Sequence, residues 1–90
     1  MAHKTVKPVN FRYLGVGANA VSIVGDFNDW QPEATPLKRH YDGSWQAQVP
    51  LTHGHHQYAF IVDGQLVQDS RAFGAARNAA GQKVSLIAVS

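Results

Sequence analysis

The sequence predicts an all-β domain of short antiparallel strands, packed as a sandwich or barrel. Three observations carry this. Apolar residues alternate with polar ones in segment after segment, with no 3.6-residue pattern. Tight-turn dipeptides, Asp42-Gly43 and Asp63-Gly64, stand between such segments. No long helical stretch interrupts the short strands.

In chain order, strands are expected over 9–14, 19–25, 44–50, 56–62, 65–69 and 83–89. Phe11 and Tyr13 alternate with polar neighbours in the first, and Val21 and Ile23 share one side of the second. Trp45, Ala47, Val49 and Leu51 give the clearest alternation, which makes Trp45 a core residue. Pro50 near the end of that strand points to an edge or a bulge. The segment from His56 to Val62 is rich in aromatic and β-branched residues, and Asp63-Gly64 joins it to Gln65-Leu66-Val67 as a hairpin. Ser70 to Gly81 has no period and reads as a loop, with room for one helical turn. The expected core is Phe11, Tyr13, Val21, Ile23, Phe27, Leu37, Trp45, Val49, Tyr58, Phe60, Val62 and Leu86.

Ninety residues make one domain, 1–90, with 1–8 expected as a flexible N-terminus. A methionine start and no visible linker favour a free-standing chain. The chain has no cysteine, which excludes disulfides and thiolate zinc sites. A net charge of +2 is spread along the chain, and Lys38-Arg39-His40 is too short a basic run to bind nucleic acid. No apolar run approaches the ~20 residues of a membrane span. Met1 to Asn10 lacks the apolar stretch of a secretory signal, so a cytoplasmic location is expected.

Catalysis is not expected. Asp42 and Asp63 belong to turns, and Asp26 and Asp29 share a surface loop too wet to raise a carboxyl pKa for glycosidic acid chemistry. His53-Gly54-His55-His56 reads as a turn and strand start, because adjacent histidines in a strand point to opposite faces. No metal or cofactor is implied.

Gly25-Asp26-Phe27-Asn28-Asp29-Trp30 is the most informative stretch. A strand ends at Gly25, and a polar turn then carries two large aromatics. Phe27 turns inward to plug the end of the core. Trp30 precedes Gln31-Pro32, so it lies in irregular chain. Either it caps the core, since tryptophan is highly buried on average, or it offers an exposed flat face. Such a ring stacks on the C–H face of a sugar, and Asn28, Asp29 and Gln31 would serve the hydroxyls.

The ordered landmarks extend this reading. After Gly25–Trp30 come Pro36-Leu37, Asp42-Gly43-Ser44-Trp45, Val49-Pro50-Leu51 with Gly54, Tyr58-Ala59-Phe60-Ile61-Val62-Asp63-Gly64, and Asp69. Together they resemble carbohydrate-binding module family 48, over about Phe11 to Val89. That family includes the early-set domains of glycogen-branching and debranching enzymes and the glycogen-binding domain of the AMP-activated protein kinase β subunit. The resemblance implies an early-set, immunoglobulin-like sandwich of about seven strands, non-catalytic, binding α-1,4-glucan on an exposed face through Trp30. It also shows departures. Leu66 stands where a second platform tryptophan is usual and Ala59 where a lysine is usual. Ala80 falls near a usual leucine, Val84 near a usual asparagine, and Asp69-Ser70 replaces Asp-Pro. The expected ligand contacts are Trp30, Asn28 and Leu66, with Gln65, Gln82 and Lys83 compensating for the missing groups. The alternative is a protein-interaction sandwich that has lost sugar binding and meets a partner through an Ala59/Ile61/Leu66 face.

Overall fold

A computed structural model describes residues 6–15 and 17–90. Eight strands follow one another in chain order: β1 (Val6–Leu14), β2 (Val21–Gly25), β3 (Lys38–Arg39), β4 (Ser44–Thr52), β5 (Gly54–Val62), β6 (Gln65–Val67), β7 (Gly74–Arg77) and β8 (Lys83–Val89). They form two antiparallel sheets packed as an immunoglobulin-like sandwich. The smaller sheet runs β1-β4-β3, and the larger runs β2-β5-β8-β7 with β6 also paired to β5.

The alternation seen in the sequence sorts the side chains. Phe11, Trp45, Val49 and Leu51 from the smaller sheet meet Val21, Ile23, Tyr58, Phe60 and Val89 from the larger, with Leu37 between them. Aromatic rings interlock at the centre. The Phe11 and Tyr58 centroids lie 4.9 Å apart, and those of Tyr13 and Phe60 lie 5.2 Å apart. Phe27 packs against this core and stacks on Phe11 at 6.2 Å. Beneath the rings, the Tyr58 hydroxyl donates to Asp69 Oδ2 at 2.6 Å, while the Asp69 N–H donates to the buried Ser85 Oγ. These bonds tie the chain after β6 to β5 and β8.

The chain passes between sheets at 35–37. Ile23 N–H donates to the Thr35 carbonyl and Leu37 N–H to the Val21 carbonyl, so this segment covers the free edge of β2. Two residues later the chain has joined β4 as β3. Elsewhere, Pro8 and Pro50 face each other across β1 and β4. Neither has an N–H, so the ladder accepts them only as a non-hydrogen-bonded pair. The flank of β4 is open there, because β3 reaches only Trp45 and Gln46.

Several expectations change. The described residues form eight strands, where about seven were expected. The segment 70–81 contains β7, whose small, unpatterned residues pair with β8 from Arg77↔Lys83 to Gly74↔Leu86. No helix occurs among the described residues. Of the segment expected to be flexible, residues 6–8 are paired in β1, and residues 1–5 lie outside the described ones. Leu86 is not in the core. Tyr58 pairs with Ser85, so Ser85, Ile87 and Val89 face inward, whereas Val84 and Leu86 face outward. β8 is apolar on both faces, and a serine holds one of its core positions, so alternation could not reveal its orientation.

Candidate functional site

The outer face of the larger sheet carries a second apolar cluster. Val24 from β2, Ala59 from β5 and Val84 from β8 are all buried there, with Ile61, Leu66, Ala76 and Trp30 packed against them. Three small or medium side chains on an outward face stay dry only if something lies over them, and the indole of Trp30 is the large group that does so. The ring is half-buried: one side rests on the cluster while the rest is open to solvent.

The turn that places this ring is tightly determined. Gly25 N–H donates to Asn28 Oδ1, and Asn28 Nδ2 donates to both the Ile23 carbonyl and Thr35 Oγ1, each at 3.0 Å. The Gly25 carbonyl accepts from the N–H groups of Asn28 and Trp30. At the start of the turn, Asp26 Oδ2 accepts from the Gln57 N–H, and Asp26 Oδ1 lies 2.9 Å from His56 Nδ1. Gly25 is required: a Cβ there would lie 2.6 Å from the Gln57 carbonyl oxygen and 2.4 Å from the Phe27 ring. These bonds hold Asp29 and Trp30 in consecutive left-handed conformations, at φ 55° and 58°. Such conformations cost roughly 1–2 kcal/mol per non-glycine residue. They persist where the surroundings over-determine them, which is common where a side chain is presented for function.

His56 has acceptors on both sides, the Asp26 carboxylate and the Thr52 carbonyl, each at 2.9 Å. Both bonds form only when both ring nitrogens carry protons. Burial works against the charged ring, but the Thr52 carbonyl and Asp26 outweigh it and raise the pKa above 6.5. His53 and His55 are exposed and do not converge with it. Among the described residues no group of three or more potential metal ligands comes together. Both carboxylate oxygens of Asp26 are engaged by β5, through His56 and the Gln57 N–H.

The structure divides the expected contacts. Trp30 and Leu66 share the outer face. Asn28 lies in the turn, both Nδ2 protons engaged internally, so it positions Trp30 and has no donor left for a ligand. Gln65 pairs with Val62, and Lys83 alternates with outward-facing Val84, so both have the parity of the core side. Gln82 accepts from Asn78 in the turn between β7 and β8. Ala59 is fully covered, at 0% exposure, while Ile61 and Leu66 on the same face are half-buried. Not anticipated were Gln57, which shares the outer parity of Ala59 and Ile61, and Gln68, whose Nε2 approaches the Val84 carbonyl at 3.5 Å. The alternation of β5 already placed Gln57 there. A hollow of about 500 Å³ on the smaller sheet is lined by Asn10, Gln46, Gln48, Lys38 and His40 among others, but by no Trp, Tyr or Phe.

An aromatic platform on one sheet face, flanked by amides, is the arrangement of a binding module. The matches to known proteins agree. Residues 7–90 match the family described as the glycogen recognition site of AMP-activated protein kinase, and the chain belongs to that family of non-catalytic carbohydrate-binding modules.

Its relatives are parts of longer proteins. A 1,4-α-glucan branching enzyme of Lactiplantibacillus plantarum is 50% identical over 52 residues, 58% of this chain and 8% of the enzyme. One from Deinococcus radiodurans is 42% identical over 67 residues, 70% of this chain and 10% of the enzyme. The AMP-activated protein kinase subunit β-1 of Sus scrofa is 38% identical over 68 residues, 76% of this chain and 52% of the subunit. No helix in the described residues is long and apolar enough to cross a membrane.

Proposed function

We propose that this chain binds α-1,4-linked glucan of the glycogen or starch kind on the outer face of its larger sheet. Trp30 stacks on the apolar face of a glucose ring, Leu66 extends the apolar contact, and Gln57 and Gln68 meet hydroxyls from the rim. The observation that carries this reading is the half-open Trp30 ring, held in a left-handed backbone over a packed floor. A ring so fixed loses little entropy on binding. The names of the relatives, branching enzymes that act on 1,4-α-glucan and a kinase subunit within a glycogen-recognition family, favour the same ligand.

Titration with maltoheptaose or β-cyclodextrin, followed by tryptophan fluorescence, tests the proposal. A saturable change that Trp30→Ala removes and Trp45→Phe retains is expected. No change up to millimolar sugar with folded protein would overturn it.

A further inference from the structure

The face under Trp30 continues into a groove. Between the larger sheet and the segment 32–36 lies a cavity of about 370 Å³, lined by Ser22, Pro32, Glu33, Pro36, Ile61 and Gly64 among others. That volume is within the range of small-molecule sites. Ile61 belongs to both places: it packs in the cluster beneath Trp30 and also lines the groove. On β2, Val24 forms the floor under Trp30, and Ser22, the next residue on that face, opens into the groove about 7 Å further along the strand.

Ser22 is unusual. It is nine-tenths buried, at 9% exposure, opposite Ile61 on an otherwise apolar face. Its side chain lines the cavity. Across the groove stands Glu33, exposed and with no ion-pair partner among the described residues. The walls are Pro32, Pro36 and Ile61, rigid or branched and apolar.

We infer that this groove is a second glucosyl subsite. It receives the glucose units that follow the one stacked on Trp30. Ser22 Oγ and the Glu33 carboxylate hold ring hydroxyls, and the prolines and Ile61 take the C–H faces. A pyranose offers that mixture of apolar faces and neutral hydroxyl donors. An anionic ligand would be repelled by Glu33. The inference rests on the reading that the Trp30 face binds glucan, and it adds that binding strengthens with chain length.

Calorimetry with maltotriose and maltoheptaose tests it, using the full chain and its Glu33→Ala and Ser22→Ala variants. The unaltered chain is expected to bind maltoheptaose about tenfold more tightly than maltotriose, a difference of about 1.4 kcal/mol. Each variant should reduce that ratio to roughly twofold by weakening the longer sugar alone. Glu33 is exposed, so its variant carries the test even if Ser22→Ala fails to fold. Equal affinity for both sugars in the unaltered chain, or variants that keep its ratio, would overturn the subsite and leave the Trp30 reading standing. Absence of binding to either sugar would overturn both.

Discussion

Trp30 packs on Val24, Ala59 and Val84 with its inner side, and on the proposed function its outer side meets the sugar. Trp30→Ala should therefore remove sugar binding and also lower stability. The loss should fall below the ~3–5 kcal/mol of a fully buried tryptophan, at about 1–2 kcal/mol in urea denaturation. Asn28→Ala should weaken binding without touching the ligand, because the turn loses three hydrogen bonds that oppose its left-handed strain. Leu66 gives the opposite experiment. Leu66→Trp places a second ring on the same face, and aromatic contacts of this kind contribute about 0.5–1.5 kcal/mol. Affinity for maltoheptaose should rise roughly two- to tenfold by fluorescence titration; an unchanged value would mean that Leu66 lies off the ligand path. At this scale the sequence exposed Trp30 and Leu66. The fold puts Asn28 in the turn and gives Gln65 and Lys83 the core-side parity, which the sequence could not show, since a polar residue near a platform looks the same whether it faces outward or braces a turn.

Among the elements, the junction of β5 with the turn that follows β2 is expected to respond to pH. The His56 pKa is raised in the folded chain, so folding binds a proton. The resulting stabilisation is fully present below the unfolded value of 6.5 and is lost as pH rises through the higher folded value. The melting temperature should thus fall as pH rises above 6.5, and His56→Gln should flatten that part of the profile. A slope unchanged in the variant would assign the effect to another group. β4 was legible in the sequence by its alternation, and β5 by its run of aromatic and β-branched residues. β3 was missed because it has only two residues, and β7 because alanine and glycine have no pattern to read. β8 was found but turned the wrong way, since its outer face is covered by neighbours that only tertiary structure supplies.

In the molecule as a whole, the two sheets meet over a core that includes one polar anchor. Burial raises the Tyr58 phenol pKa, and the hydrogen bond to Asp69 and its negative charge act in the same direction, keeping the hydroxyl a donor. Tyr58→Phe keeps the ring and deletes the donor, leaving Asp69 Oδ2 short of its partner. A loss of about 1.5–3 kcal/mol is expected, as for hydrogen bonds to charged groups. A loss below about 0.5 kcal/mol would show that Asp69 finds a replacement. The sandwich architecture itself was legible because period-two runs and Asp-Gly turns fix strands and hairpins locally. The segment 35–37 was not, since its passage from one sheet to the other depends on hydrogen bonds to β2 that no local pattern encodes.

The facing prolines of β1 and β4 also affect how one copy of this chain meets another. At a non-hydrogen-bonded pair the backbone groups point outward, away from the partner strand. On β1 they point to the free edge of the sheet, and on β4 to the flank that β3 leaves uncovered. At both places the group that would capture an incoming strand is missing, which is one way natural sheets resist aggregation. Pro50→Val should barely alter the melting temperature or sugar affinity. It should instead raise the weight-average mass in sedimentation as protein concentration increases, relative to the unaltered chain. An identical mass profile would mean that the twist of the strands or their charged neighbours already keeps the edges apart.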